Sequence, residues 1–177
     1  MSMTHGEDCM TAPSAWVLRW AHLLREGGKV LDVACGSGRH SRYFAERGHA
    51  VDAVDRDSLA IAGLSGLSGV SASCADIENG PWPYPGRHYA AVVVTNYLHR
   101  PLFPLLMAAL EPGGVLIYET FAQGNEKFGR PSNPDFLLRQ GELLQVAGGA
   151  RVVAYEDLVV EDPKPAALQR ICAVRQR

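Results

Sequence analysis

Cysteine is scarce in this 177-residue sequence, and its spacing carries no motif. The four cysteines are Cys9, Cys35, Cys74 and Cys172, with no Cys-x-x-Cys pair among them. This spacing predicts neither a zinc site nor a disulfide framework. We therefore expect reduced thiols in a cytoplasmic protein, and no bound metal.

Long apolar runs and an excess of charge of one sign are also missing. No apolar run reaches membrane-spanning length, and the polar N-terminal segment has no apolar stretch typical of a secretory signal. The formal net charge is −2, from 17 basic and 19 acidic residues. This balance gives no electrostatic reason to expect nucleic acid or an anionic membrane as a partner. The sequence leaves the oligomeric state open.

What the sequence does contain is an alternation of strand-like and helix-like segments in a chain long enough for one domain, 1–177. This order indicates an α/β fold with a doubly wound, mostly parallel sheet in a three-layer αβα arrangement. Two final strands, adjacent in sequence, predict one antiparallel edge hairpin. The predicted strands are Val30–Val33, Ala50–Val54, Val70–Cys74, Tyr89–Thr95, Val115–Thr120, Arg151–Val160 and Ala167–Val174. Helices are predicted at 14–25, 38–47 and 101–110. A short helix is predicted within 58–67, limited by Gly63, Gly66 and Gly69, and a helix over 136–147 that is interrupted or re-entered at Gly141.

Three segments lie outside this alternation. Residues 1–11 are polar and predicted to be disordered. Segment 12–26 predicts an N-terminal helix that covers the ligand as a lid. The long loop 121–135 predicts a substrate loop that is mobile without ligand and ordered over an occupied site, with Arg130 suited to a carboxylate or phosphate.

The most informative segment runs from Val30 to Gly38. A short apolar run containing Asp32 ends in a Gly36-x-Gly38 turn, and a helical segment follows. Strand, glycine turn and helix in this order form the place where α/β proteins receive nucleotide-like ligands. Glycine allows a positive φ and a close approach of the ligand to the backbone. The pattern departs from the dinucleotide fingerprint because Ser41 occupies the third glycine position.

Polar residues follow each of the next strands. Asp55 lies 19 residues after Gly36, where a carboxylate can accept both hydroxyls of a ribose. Asp76 and Ile77 suit the amino edge and the face of an adenine. Asn96 follows the fourth strand. Because parallel strands end at one edge of the sheet, these residues together predict a nucleoside-binding cleft.

The segments from Val30 to Tyr118 resemble the class I S-adenosylmethionine (SAM) dependent methyltransferase superfamily. The run from Gly38 to Ser41 is similar to the small-molecule enzymes of the tellurite-resistance type. The resemblance implies a Rossmann-like fold and SAM as cofactor. It implies a cofactor site formed by Trp16, Arg19, Asp32, Cys35, Gly36, Gly38, Arg39, Asp55, Arg56, Asp76, Ile77 and Asn96. The fourth motif lacks the Asn-Pro-Pro-Tyr of enzymes that methylate nucleic-acid amines, which argues against such acceptors.

The predicted function is transfer of a methyl group from SAM to a small-molecule acceptor by in-line displacement, which depends chiefly on alignment. The candidate catalytic residues are His99 and Tyr97. The candidate substrate-binding residues are Tyr97, Tyr118, Glu119, Phe128 and Arg130. Since side chains alternate along a strand, only one of the neighbours Tyr118 and Glu119 can face the site.

Two alternatives stay open from sequence. One is an NAD-dependent oxidoreductase, against which Asp32 and the missing third glycine count. The other is a non-catalytic module that binds SAM or a nucleoside.

Overall fold

A computed structural model describes residues 12–177, in which seven strands form one mixed sheet. The strands are β1 (Val30–Val33), β2 (Val51–Asp55), β3 (Val70–Cys74), β4 (Tyr89–Thr95), β5 (Leu110–Phe121), β6 (Arg151–Val160) and β7 (Ala166–Val174). Their order is β3-β2-β1-β4-β5-β7-β6, with β1 to β5 parallel and β7 antiparallel to both neighbours. The predicted Rossmann-like α/β fold, including the edge hairpin, is confirmed. The expected disorder of 1–11 lies outside the described residues.

The helices are short because glycine, proline and capping residues interrupt them. They are α1 (Ala15–Trp20), α2 (Arg39–Ala45), α3 (Ser58–Ala62), α4 (Phe103–Ala108) and α5 (Glu142–Val146). Single 3₁₀ turns occur at Ala21–Leu23, Arg100–Leu102, Asn125–Lys127 and Pro134–Phe136. Ser14 caps α1 and Asp57 caps α3 by accepting hydrogen bonds from backbone N–H groups of the first turn. Across residues 12–177, no helix combines the length and apolarity that a membrane crossing needs.

Two predicted elements are corrected by the structure. The helix expected over 136–147 is wrong before Gly141, where Leu137 is extended. The expected interruption at Gly141 is confirmed, since its φ is +72° and α5 begins directly after it. The fifth strand is longer than the expected 115–120 because its first residues, 110–114, pair through an irregularity in the β4 register.

The sheet carries apolar side chains on both faces, as expected for parallel strands covered by helices. On one face Val92 and Val94 pack with the α4 and α5 layer, and on the other Val93 packs with Trp16 and Phe44 from α1 and α2. Since all residues of β4 up to Val94 are buried, the carboxyl end of β4 is held between two packed layers.

Near the amino end of β2, Asp52 is the centre of a buried polar cluster. It is 2% exposed, and its Oδ2 accepts from the Tyr89 hydroxyl at 2.6 Å. The same oxygen lies 2.9 Å from Lys29 Nζ and 3.1 Å from an Arg87 guanidinium nitrogen. Burial alone would raise the pKa of Asp52, but the hydrogen bonds from Tyr89 and Lys29 and the Lys29 charge outweigh it and hold the pKa below its usual value.

We expect Asp52→Asn to lower the free energy of unfolding by about 1–3 kcal/mol at pH 7. A carboxylate with a depressed pKa contributes stability above its unfolded pKa and loses it as pH falls through its folded pKa. The difference between variant and wild type should therefore shrink below about pH 4. Urea unfolding at pH 7 and pH 3 measures it. Glu46→Gln, at an exposed carboxylate, serves as control, and a pH-independent loss in Asp52→Asn would contradict the assignment.

Candidate active site

A cavity of about 450 Å³ opens at the carboxyl edge of the sheet. It is lined by residues that follow β1, β2, β3 and β4, by the end of β5, and by two residues of the loop after β5. Its volume lies in the range of small-molecule sites. The strand ends therefore meet where the sequence predicts a cleft.

The glycine turn after β1 has the positive φ angles expected of it, +54° at Gly36 and +79° at Gly38. A Cβ on Gly38 would overlap the buried Leu64 side chain, whereas a Cβ on Gly36 would meet no atom within 4 Å. Gly38 is thus required by packing against the protein. At Gly36 the space that a side chain would take is empty.

Asp55 connects this turn to the cavity. Its Oδ2 accepts from the Gly36 N–H at 2.8 Å, and its Oδ1 accepts from the Asp57 N–H at 2.9 Å. Asp55 itself lines the cavity. Each carboxylate oxygen therefore has one backbone donor and keeps acceptor capacity for a ligand.

The segment after β3 supplies an ordered acidic turn. Asp76 accepts from the backbone N–H groups of Glu78 and Asn79 at 3.0 and 3.1 Å, and from the Asn79 side chain. The Asn79 side chain is the main cause that lowers the pKa of Asp76, so the carboxylate is ionised at neutral pH. Ile77 points partly into the apolar core and also lines the cavity.

Glu78 is a cavity residue that the sequence analysis missed. Its Oε1 accepts from the Tyr97 hydroxyl at 3.0 Å, so the segments after β3 and β4 are bridged across the ends of the two strands between them. Burial raises the pKa of Tyr97, and the hydrogen bond to Glu78 raises it further. The phenol is therefore a proton donor at neutral pH and not a base. The one sequence feature that could have identified Glu78 as a cavity residue is its position directly after Asp76 and Ile77.

The charge in the cavity lies on one side. Asp55 is the last residue of β2, and Asp76 and Glu78 follow β3; Arg56 is the only basic lining residue among those described. The rest of the lining, from β4, β5 and the following loop, is uncharged: Asn96, Leu98, Thr120, Phe121, Pro131 and Phe136, beside Tyr97. A ligand with positive charge at the acidic side is favoured, and a phosphate there is disfavoured.

Tyr118 and Glu119 face opposite sides of β5, and neither lines the cavity. Tyr118 is 1% exposed and donates from its hydroxyl to the Tyr97 carbonyl at 2.7 Å, so it supports Tyr97 from within the core. Glu119 accepts from the Ser14 hydroxyl at 2.5 Å and from Arg170 at 3.0 Å. The cavity residues of this strand are instead Thr120 and Phe121.

Trp16 and Arg19, which the sequence places in the cofactor site, do not line the cavity. Trp16 is 2% exposed and donates from Nε1 to the Ile171 carbonyl at 3.1 Å, because its ring packs into the core on the sheet face. Arg19 stacks 4.9 Å from the centre of the Trp20 ring and pairs with Glu156. Neither side chain lines the cavity, so α1 covers a face of the sheet.

Asp32, Cys35 and Arg39 surround the glycine turn without lining the cavity. Asp32 is buried and accepts from the Ser41 hydroxyl at 2.6 Å; burial raises its pKa to about 6. Burial also raises the pKa of the Cys35 thiol, which donates to the Gly36 carbonyl. Arg39 donates to the Ala12 carbonyl at 3.1 Å. These residues support the turn from behind.

His99, Phe128 and Arg130 also lie outside the cavity lining. His99 precedes the Arg100–Leu102 turn, and Phe128 and Arg130 lie at the exposed tip of the loop after β5. The loop reaches the cavity through Pro131 and Phe136 instead. Within residues 12–177, no group of histidine, cysteine and carboxylate side chains could hold a metal ion.

A family model described as a methyltransferase domain matches residues 30–114, the region that contains the glycine turn, Asp55, Asp76 and Asn96. This match supports the class I SAM-dependent methyltransferase superfamily that the sequence predicts. The matched region ends at Gly114 within β5. The loop after β5 and the hairpin of β6 and β7 therefore lie outside the match.

A curated protein and several solved structures are similar to this chain. Over 103 residues the chain is 33% identical to the ubiquinone biosynthesis O-methyltransferase of Idiomarina loihiensis, covering 53% of this chain and 42% of that enzyme. The chain thus spans less than half the length of this curated relative. TehB from Haemophilus influenzae shares the fold, with a TM-score of 0.77 at 20% identity over 93% of this chain and 63% of TehB. Coclaurine N-methyltransferase bound to N-methylheliamine and S-adenosylhomocysteine (SAH) has a TM-score of 0.69 at 12% identity, over 99% of this chain and 74% of that one.

Gly36 and Gly38 offer a matched pair of substitutions in the methyltransferase domain. Gly38→Ala should lower the free energy of unfolding by about 2–4 kcal/mol, because a Cβ there adds overlap with Leu64 to the cost of the left-handed backbone. Gly36→Ala has only the backbone cost, about 1 kcal/mol. Chemical unfolding of both variants measures the difference, and equal losses would show that Leu64 does not restrict this turn.

Proposed function

We propose that this protein transfers a methyl group from SAM to a small-molecule acceptor. The observation that carries the proposal is the hydrogen bond from the Gly36 N–H to the Asp55 carboxylate. In dinucleotide-binding folds the backbone N–H groups of this turn and the helix behind it receive the pyrophosphate. A carboxylate at this position can receive the ribose of SAM or of NAD. Ser41 at the third glycine position and Asp32 within β1 favour SAM over NAD.

The residues on the acidic side of the cavity fit SAM. Asp55 has acceptor capacity for the ribose hydroxyls, and Ile77 with Ala75 offers an apolar surface for the adenine, with Asp76 beside it. The open side of Gly36 leaves room for the methionine portion. The carboxylates also suit the positive charge that SAM carries at its sulfonium and amino groups.

SAM, held by Asp55, Asp76 and Ile77, would supply an electrophilic methyl carbon on a sulfonium leaving group. The chain's own residues then have to align the acceptor and exclude solvent. Tyr97 is suited to orienting the acceptor as a hydrogen-bond acceptor, since its one O–H is donated to Glu78 and its oxygen lone pairs remain free. Because His99 does not line the cavity, we assign it no role in this step.

The acceptor atom is proposed to be oxygen, which the name of the curated relative supports. A cytoplasmic location is part of the proposal, because Cys35, Cys74 and Cys172 are all free thiols. The balanced net charge gives no support to a nucleic-acid substrate.

Asp55→Ala should weaken SAM binding by about 30- to 1000-fold, since a charged acceptor of two hydroxyl hydrogen bonds is lost. Isothermal titration calorimetry with SAM measures the dissociation constant. Asp57→Ala is the matched control: Asp57 lies two residues away, caps α3 and is absent from the cavity lining. It should cost about 1 kcal/mol of stability and leave SAM affinity unchanged. Unchanged SAM affinity in a folded Asp55→Ala protein would remove Asp55 from the site.

The loop after β5 gives a second expectation. Asn125 and Pro131 are tied together by a hydrogen bond of 2.9 Å from the Asn125 side chain to the Pro131 carbonyl. We therefore expect ligand-dependent motion only in the exposed tip, 126–130. Hydrogen exchange with and without SAH should show protection gained at the tip, while Asn125 is protected in both states. Exchange that changes equally over 121–135 would show that the whole loop opens.

A further inference from the structure

The uncharged side of the cavity is an apolar rim with two neutral polar groups. Phe121, Pro131 and Phe136 supply the rim, and Asn96 and Thr120 lie beside it. No charged side chain among the described residues lines this side. Arg130, the cation that the sequence suggested for a carboxylate or phosphate, lies outside it. The rim therefore provides contact area for an apolar surface and nothing to neutralise an anion.

Phe136 is fixed in place although it is 53% exposed. The carbonyls on both sides of it, those of Asp135 and Leu137, each accept from the Arg100 guanidinium at 2.9 Å. Glu142 in turn holds Arg100 through two hydrogen bonds of 2.6 and 3.0 Å. A large apolar side chain is thus held against the cavity by an ion pair behind it. Such preorganisation favours binding, because less conformational freedom is lost when a ligand arrives.

Pro131 is anchored in an equivalent way. Asn125 is 2% exposed, and its side-chain amide donates to the Pro131 carbonyl at 2.9 Å. The Asn125 side-chain oxygen accepts from the Ala167 N–H in β7 at 3.2 Å. Both loop residues of the rim are therefore fixed through their backbone by polar side chains from behind. Contacts within the protein therefore hold the rim in place.

We infer that the acceptor is an uncharged molecule with a flat, apolar body, of the class of neutral phenols. This inference rests on the proposed function and assigns the uncharged side of the cavity to the acceptor. The apolar body is taken by Phe121, Pro131 and Phe136, and the hydroxyl is received by the amide of Asn96 or the hydroxyl of Thr120. Acceptors with a carboxylate or phosphate are disfavoured, because Asp76 and Glu78 repel them and no cation of the rim offsets the cost of their desolvation.

A matched pair of fluorescent probes tests the inference: 2-naphthol, which is neutral at pH 7, and 2-naphthoate, which has the same ring system with a carboxylate. Their dissociation constants are measured by fluorescence titration of the SAH-saturated protein. We expect 2-naphthol to bind at least tenfold more tightly than 2-naphthoate. Phe136→Ala should weaken 2-naphthol binding by about tenfold, as expected for the loss of one aromatic contact.

Phe128→Ala is the control, since Phe128 belongs to the same loop, is 44% exposed and does not line the cavity. It should change 2-naphthol binding by less than twofold. If calorimetry shows SAM binding, any of three results would overturn the inference. These are equal or tighter binding of 2-naphthoate, absence of binding by either probe, and equal effects of the two phenylalanine variants. Absence of SAM binding would instead overturn the proposed function and, with it, the assignment of the rim to an acceptor.

Discussion

The hydrogen bond between the Gly36 N–H and Asp55 Oδ2 is the interaction on which the site depends. It joins the turn after β1 to the end of β2, so the two strand ends have one fixed relation. The buried pair of Asp32 and Ser41 supports the same turn from below. The position of the Asp55 carboxylate in the cavity therefore follows from contacts within the protein.

The residues that line the cavity are held in place in two different ways. Its acidic side is built from residues that directly follow β2 and β3, and the sheet itself positions them. The apolar side comes partly from a loop, and a loop is positioned only if other groups hold it. Arg100 and Asn125 supply that support through backbone carbonyls. The two sides of the cavity are therefore positioned independently of each other.

Much of the fold and about half of the site could be predicted from local sequence. Strand ends are local features, so the positions of Asp55, Asp76, Ile77 and Asn96 followed from spacing, and all four line the cavity. The contribution of Phe136 depends on Arg100 and Glu142, 42 residues apart, and no local pattern reveals such a pair. The apolar stripe of α1 predicted a helix correctly. It could not show that Trp16 packs against β7 instead of facing the ligand, because burial in a core and contact with a ligand favour the same residue types.

The strand order has a consequence for the sequence of events during synthesis. β7 lies between β5 and β6, so β6 leaves the ribosome before the only strand with which it pairs in the described region. The five parallel strands, with the carboxylates at their ends, are complete by residue 121. The rim also depends on β7, the last strand. The Ala167 N–H donates to the side chain of Asn125, and the side chain of Gln169 accepts from the first turn of α5 at 2.7 Å. The residues of the acidic side of the cavity are thus all synthesised before the strand that anchors the apolar side.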